Sequence, residues 1–154
     1  MEEPYIVSSK WDSGDMQIKV AFSYDEGFLE VYAFRARNLP FLNSRTGARP
    51  NPYVKVQLCG SKGNRIKGKT STRSDTMNPE YNHVCRFQIS YESVTSFYIR
   101  IMVCHKRFFG HVKVLGDTAL LITEQLLLKD HPSWVRLHKH HFCWSSRCIL
   151  LQTF

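Results

Sequence analysis

Several things are missing from this 154-residue sequence, and each absence narrows what the chain does. No apolar run approaches the ~18 residues that a membrane-spanning helix requires. The start, Met1-Glu2-Glu3-Pro4, is acidic where a secretory leader is basic and then apolar, so a chain without a leader is expected. There is no glycine-rich phosphate loop, no GxSxG elbow and no HExxH. Cys104 and His105 are adjacent on an alternating stretch and so face opposite ways, which disfavours a nucleophile pair. Neither enzymatic chemistry nor a cofactor is expected. Five cysteines (Cys59, Cys85, Cys104, Cys143, Cys148) is an odd number with no CxxC pair. A disulfide framework and a zinc ribbon are both disfavoured, and reduced thiols in a cytoplasmic compartment fit best.

The most informative shortage is of negative charge. From Val31 to Ser74 there is no Asp or Glu, yet there are ten bases: Arg35, Arg37, Arg45, Arg49, Lys55, Lys62, Arg65, Lys67, Lys69 and Arg73. That block alone exceeds the net charge of +8 on the whole chain. So one-sided a stretch implies an anionic partner: phosphate-bearing lipid, nucleic acid or an acidic protein surface. Nucleic acid is the weakest of the three, because the basic strand carries no row of stacking aromatics.

What is present alternates. Met16, Ile18, Val20, Phe22 and Tyr24 recur at every second position, and Asp25-Glu26-Gly27 then turns the chain into a returning strand from Leu29 to about Arg37. Pro40 to Pro52 reads as a loop. Val54, Val56 and Leu58 alternate with Tyr53, Lys55 and Gln57, and further strands are expected at Arg65 to Ser71, His83 to Ile89, about Ile99 to Val103, Val112 to Leu121 and Trp134 to Leu137. Thr123 caps one short helix, Glu124 to Leu128. The fold class is therefore all-β, an eight-stranded antiparallel β-sandwich. Its expected core holds Leu29, Val31, Val54, Val56, Phe87, Ile99, Ile101, Val103, Leu115 and Trp134.

Motifs in a fixed order add to this reading: Leu29-Glu30-Val31-Tyr32-Ala33, Asn38-Leu39-Pro40, Asn51-Pro52-Tyr53-Val54-Lys55-Val56, Lys67-Gly68-Lys69-Thr70, Asn78-Pro79-Glu80-Tyr81-Asn82, Leu115-Gly116, and Trp134 with Leu137. In their order and spacing the chain resembles the C2 domains. The strand placed before Leu29 is similar to the synaptotagmin-type circular order, and Pro50-Asn51-Pro52-Tyr53 also resembles the carboxy-terminal C2 of class II phosphoinositide 3-kinases. The resemblance implies an N-terminal extension at 1–14, a C2 domain at 15–138 and a tail at 139–154.

The same resemblance implies a site made of loops, in which aspartates hold calcium against lipid phosphate. Those positions fall on Asn43, Asn51, His105, Arg107 and Lys113. Calcium needs about six to eight oxygens, several of them anionic. Two amides, an imidazole and two cations do not supply them, so no metal and a calcium-independent member are expected. Arg45, Arg49, Lys106 and Arg107 make that end positive instead. Phe41, Leu42, Phe108 and Phe109 are apolar loop residues that either enter the acyl boundary or pack beneath the loops.

A second site is implied on the flank. In family members that bind phosphoinositides, a tyrosine and lysine of the third strand and two lysines of the fourth surround the headgroup, and these match Tyr53, Lys55, Lys67 and Lys69. An aromatic and an amide complete that site, where this sequence has Lys106 and Val112. The expected partner is an anionic phospholipid or phosphoinositide membrane, met from the cytoplasm by a peripheral monomer. The alternative is an acidic or phosphorylated protein. The His138, His140, His141, Cys143, Cys148 string carries metal-ligand side chains at a spacing that fits no zinc module, so it is read as incidental.

Overall fold

A computed structural model of the chain describes residues 12–63, 65–110 and 112–139. Eight strands run β1 (Asp12–Ser23), β2 (Phe28–Arg37), β3 (Pro52–Gly60), β4 (Arg65–Lys69), β5 (Glu80–Gln88), β6 (Phe97–His105), β7 (Lys113–Leu121) and β8 (Ser133–His138). Two short helices interrupt them, α1 (Tyr91–Val94) and α2 (Glu124–Leu128). Every strand pairing is antiparallel, and the strand order is β4-β3-β6-β7-β8-β1-β2-β5. Between β7 and β8 the one register pair is Asp117 with His138, so the order divides there into two four-stranded sheets.

The period-two pattern explains the packing. Val54, Val56 and Leu58 of β3, Ile99, Ile101 and Val103 of β6, and Met16, Ile18, Val20, Leu29 and Val31 of β1 and β2 are buried in one cluster between the sheets. Burying each such side chain contributes about 1.5–3 kcal/mol. Gly116, part of a family-like motif, lies where the sheets meet. A Cβ there would stand 2.5 Å from the Ser13 Cβ and 3.1 Å from the Leu137 Cβ, so only glycine lets β7 pass so close to β1 and β8.

The expected cap of α2 is present, with Thr123 accepting a hydrogen bond from the Leu126 N–H at 3.2 Å. One element was not expected, and three expectations need correction. Helix α1 was not among the expected elements: it has four residues, and Ser90, although a capping residue type at its N-cap, makes no side-chain cap bond. Strands β1 and β5 begin at Asp12 and Glu80, four and three residues before their expected starts. Trp134 is not a core residue: β8 turns Val135 and Leu137 inward, which sends Trp134 to the outer face, half-buried under Arg37 with the guanidinium 3.9 Å from the ring centre. No helix of the described residues is long and apolar enough to cross a membrane.

Candidate functional site

The flank is built by strand register. In β3 and β4, Lys55 stands opposite Lys69 and Gln57 opposite Lys67. On the other side of β3, Tyr53 pairs with Cys104, Lys55 with Met102 and Gln57 with Arg100 of β6. Directly opposed residues share a face with Cβ atoms ~4.5–5.5 Å apart. The four expected flank residues, Tyr53, Lys55, Lys67 and Lys69, therefore form one grid on the outward side of the first sheet. Lys67 and Lys69 are exposed, while Tyr53 and Lys55 are half-buried, with the Lys55 ammonium 6.0 Å from the Tyr53 ring centre. No carboxylate pairs with Lys55, Lys67 or Lys69 among the described residues.

Beneath the cations the face is polar and closed. Arg100 donates to Asp117 at 3.1 Å, and the Asp117 side chain is 1% exposed. Gln57 is buried, and its Oε1 has no hydrogen-bond partner among the described residues. Tyr53 keeps its proton firmly, because burial and the neighbouring Cys104 raise its pKa. Burial likewise pushes the Cys104 thiol up to about 11, so it is a poor nucleophile at neutral pH. Sequence reading singled out neither Arg100 nor Gln57. The available signal was a cation between Ile99 and Ile101, at the outward parity of an otherwise apolar strand.

The loop end is organised differently. Asn43 uses its Oδ1 to accept from Arg45 N at 2.9 Å and Thr46 N at 3.4 Å, closing its own turn. Asn51 Oδ1 accepts from Asp75 N at 2.8 Å, and Asn51 N donates to His105 Nδ1 at 3.0 Å. Lys106 N donates to the Asn51 carbonyl at 3.0 Å, tying the loop after β6 to the one before β3. Desolvation, then Arg107 and Lys113, lower the His105 pKa and keep the ring neutral, with Nδ1 as acceptor. Asp75 brings one carboxylate to this end through its backbone bond to Asn51. The five positions at which the resemblance implies calcium ligands thus carry two amides already engaged, a neutral imidazole, an exposed Arg107 and a half-buried Lys113. This donor set does not suit the ion.

Most of the loop aromatics do not pack beneath the loops. Phe108 is 94% and Phe109 92% exposed, and Phe41 is exposed as well, while Leu42 packs against the core. Arg45, Arg49, Lys106 and Arg107 are exposed in the same two loops. Val112 is exposed and does not join the flank grid, where Met102 and Cys104 of β6 take the places beside Lys55 and Tyr53. Of the histidine and cysteine string, His138 ends β8 and the other four lie outside the described residues.

Comparison with known proteins gives a consistent set of relatives. Residues 27–137 match the family model for the C2 domain. The chain is 32% identical over 129 residues to synaptotagmin-9 of Rattus norvegicus, an alignment covering 84% of this chain and 26% of that protein. It is 36% identical over 110 residues to synaptotagmin-3 of the same species, covering 71% of this chain and 18% of that protein. The chain thus spans about a quarter or less of these relatives' length. Among solved structures, a C2 domain of RIM2 matches with a TM-score of 0.70 and 25% identity, covering 84% of this chain and 100% of that one. The third C2 domain of the KIAA1228 protein matches with a TM-score of 0.71 at 23% identity over 86% of this chain and 92% of that one, a likeness of fold.

Proposed function

Because this chain belongs to the C2 domain family, we propose that it is a calcium-independent membrane-binding module whose flank and loop end hold anionic phospholipid. The observation that carries the reading is the register of Lys55 against Lys69 and of Gln57 against Lys67, which gathers three lysines of the acid-free block into one cationic face beside Tyr53. Phosphate oxygens on that face accept charge-assisted hydrogen bonds from the lysines, and the Tyr53 hydroxyl remains a neutral donor. Its partner is the headgroup layer, and its place is the cytoplasmic side of a membrane.

The loop end adds a second point of contact. Arg45, Arg49, Lys106 and Arg107 supply the positive charge that bound calcium supplies elsewhere in the family. Phe108 and Phe109 present aromatic surface that gains by leaving water for the acyl boundary. Calcium then has no part to play, since no carboxylate occupies the five ligand positions.

Sedimentation with phosphatidylcholine vesicles, with and without phosphatidylserine or phosphoinositide, tests this reading when repeated with a chelator. Binding that needs anionic lipid, weakens with salt and ignores the chelator supports it. Binding that appears only with calcium, or no binding at low salt, sinks it. One observation favours a second reading in the latter case: Arg35 and Arg37 flank Trp134 on the outer face of the other sheet, a surface suited to an acidic protein segment.

A further inference from the structure

We propose that Ser71 is a phosphorylation site, modified by a basophilic serine/threonine kinase, and that its phosphate switches off the flank. The switch rests on the membrane reading above. The modification itself rests on the segment that follows β4.

Thr70 is buried and locked to β3: its N–H donates to the Val54 carbonyl at 2.9 Å, and its Oγ1 accepts from the Val54 N–H at 2.9 Å. With Thr70 turned inward, Ser71 is turned outward and is exposed. Two residues on, Arg73 N–H donates to the Pro52 carbonyl at 2.9 Å, so the segment is held extended at both ends. Strand β4 lies at the edge of the sheet order, which leaves its backbone open on the side away from β3. Lys69 and Lys67 precede Ser71 by two and four residues, on the same outward parity. An extended, exposed track of bases leading to a hydroxyl is what an acidic kinase groove selects by charge. Ser74, the other exposed hydroxyl nearby, is followed by Asp75 and has no base two or four residues before it.

The Ser71 hydroxyl also faces a ready counter-charge. Arg73 Nη1 donates to Ser71 Oγ at 2.7 Å, while its Nε donates to the Glu80 carbonyl at 2.8 Å. In the transfer, Ser71 Oγ bonds to the γ-phosphorus of ATP as the bond from that phosphorus to the β,γ-bridging oxygen breaks. ADP leaves, and the hydroxyl proton passes to the kinase's basic group. The new group brings about −1.5 to −2 charge and three acceptor oxygens. Arg73 already reaches the Ser71 oxygen, and Lys69 stands two residues away on the same face, so the phosphate offsets the positive charge at this edge of the flank and repels anionic lipid.

The test incubates the full chain with ATP and the catalytic domain of a basophilic kinase, maps the phosphate by mass spectrometry, and measures sedimentation with phosphatidylserine-containing vesicles. The expected result is phosphate on Ser71 that Ser71→Ala abolishes, vesicle binding about tenfold weaker for the phosphorylated chain and weakened also in Ser71→Glu, and unchanged binding by Ser71→Ala. Phosphate only at other positions, or a phospho-Ser71 chain that binds as tightly as the parent, overturns the proposal. An unmodified chain that binds no anionic vesicle overturns the flank reading and the switch with it, while phosphate mapped to Ser71 would still establish the modification.

Discussion

The flank and the loop end are both basic, yet they spend their polar groups in opposite ways. On the flank, the cations of Lys55, Lys67 and Lys69 stand over a closed floor and pair with no carboxylate among the described residues. At the loop end, Asn43, Asn51 and His105 are committed to backbone hydrogen bonds that shape the loops. Side chains on a paired sheet are positioned by the ladder and remain available to a ligand. Side chains in these loops are consumed in holding the loops together, and what remains for a ligand is charge and exposed aromatic surface. The two regions should therefore respond differently to mutation, salt and acid.

The largest effect is expected from the floor of the flank. Asp117→Ala removes the carboxylate that Arg100 holds in a buried place, and breaking such a pair costs about 3–5 kcal/mol. Urea unfolding should show this as a lower midpoint at unchanged slope. A loss under about 1 kcal/mol, the scale of an exposed pair, would mean that water reaches Arg100 and that the flank is no more rigid than the loops.

Next comes the flank's own charge. Each Lys or Arg at an anionic surface contributes ~1 kcal/mol, within a Debye length of ~8–10 Å. Replacing Lys55, Lys67 and Lys69 together with Ala should weaken vesicle sedimentation on the order of tenfold or more, with the far-ultraviolet circular dichroism unchanged. Equal binding by the triple variant would move the site away from the flank.

A smaller, salt-resistant loss is expected at the loop end. Phe108→Ser with Phe109→Ser should reduce vesicle binding several-fold at high salt, where the lysine contribution is screened. If the double variant loses nothing when salt is raised, the exposed aromatics do not enter the lipid. Calorimetry at millimolar calcium should show no saturable heat in the parent, and a micromolar site would overturn the reading of the five ligand positions.

The smallest effect is an acid response confined to the loops. His105 has a folded pKa below its ordinary value because burial, Arg107 and Lys113 disfavour its charged form. The unfolded chain then binds more protons as pH falls below the ordinary histidine value, so stability present above that value is lost on acidification. Protonation also removes Nδ1 as the acceptor for Asn51 N–H. Exchange of the Asn51 amide, corrected for intrinsic rate, should speed up toward acid, and His105→Asn should remove that dependence. A parent whose Asn51 amide is equally protected across this range would show that the bond does not hold the loop.

Much of the fold was legible because it follows from a local rule. Residues such as Met16, Ile18 and Val20, or Ile99, Ile101 and Val103, recur at every second position, and a strand with one buried face has that pattern however it is paired. Helix α1 was not legible, since four residues are too few to leave a periodic trace and Ser90 makes no side-chain cap bond. The aromatics of the loop after β6 could not be assigned either, because a Phe at a loop tip and a Phe beneath it read alike.

What the sequence determined by itself was parity: Tyr53 with Lys55, and Lys67 with Lys69, each pair on one side of its own strand. Whether the two pairs shared a side, and which residues stood level, was decided by the register of β3 against β4, with Lys55 opposite Lys69. A slip of one residue would have turned Lys67 and Lys69 toward the core and dissolved the grid. The parity of β8 was decided in the same way. Val135 and Leu137 took the inner positions, and Trp134, a side chain that packs on either face, was left outside beneath Arg37. Register depends on which apolar faces meet across the sandwich, a contact between residues far apart in the chain, and that is why only the tertiary structure could set it.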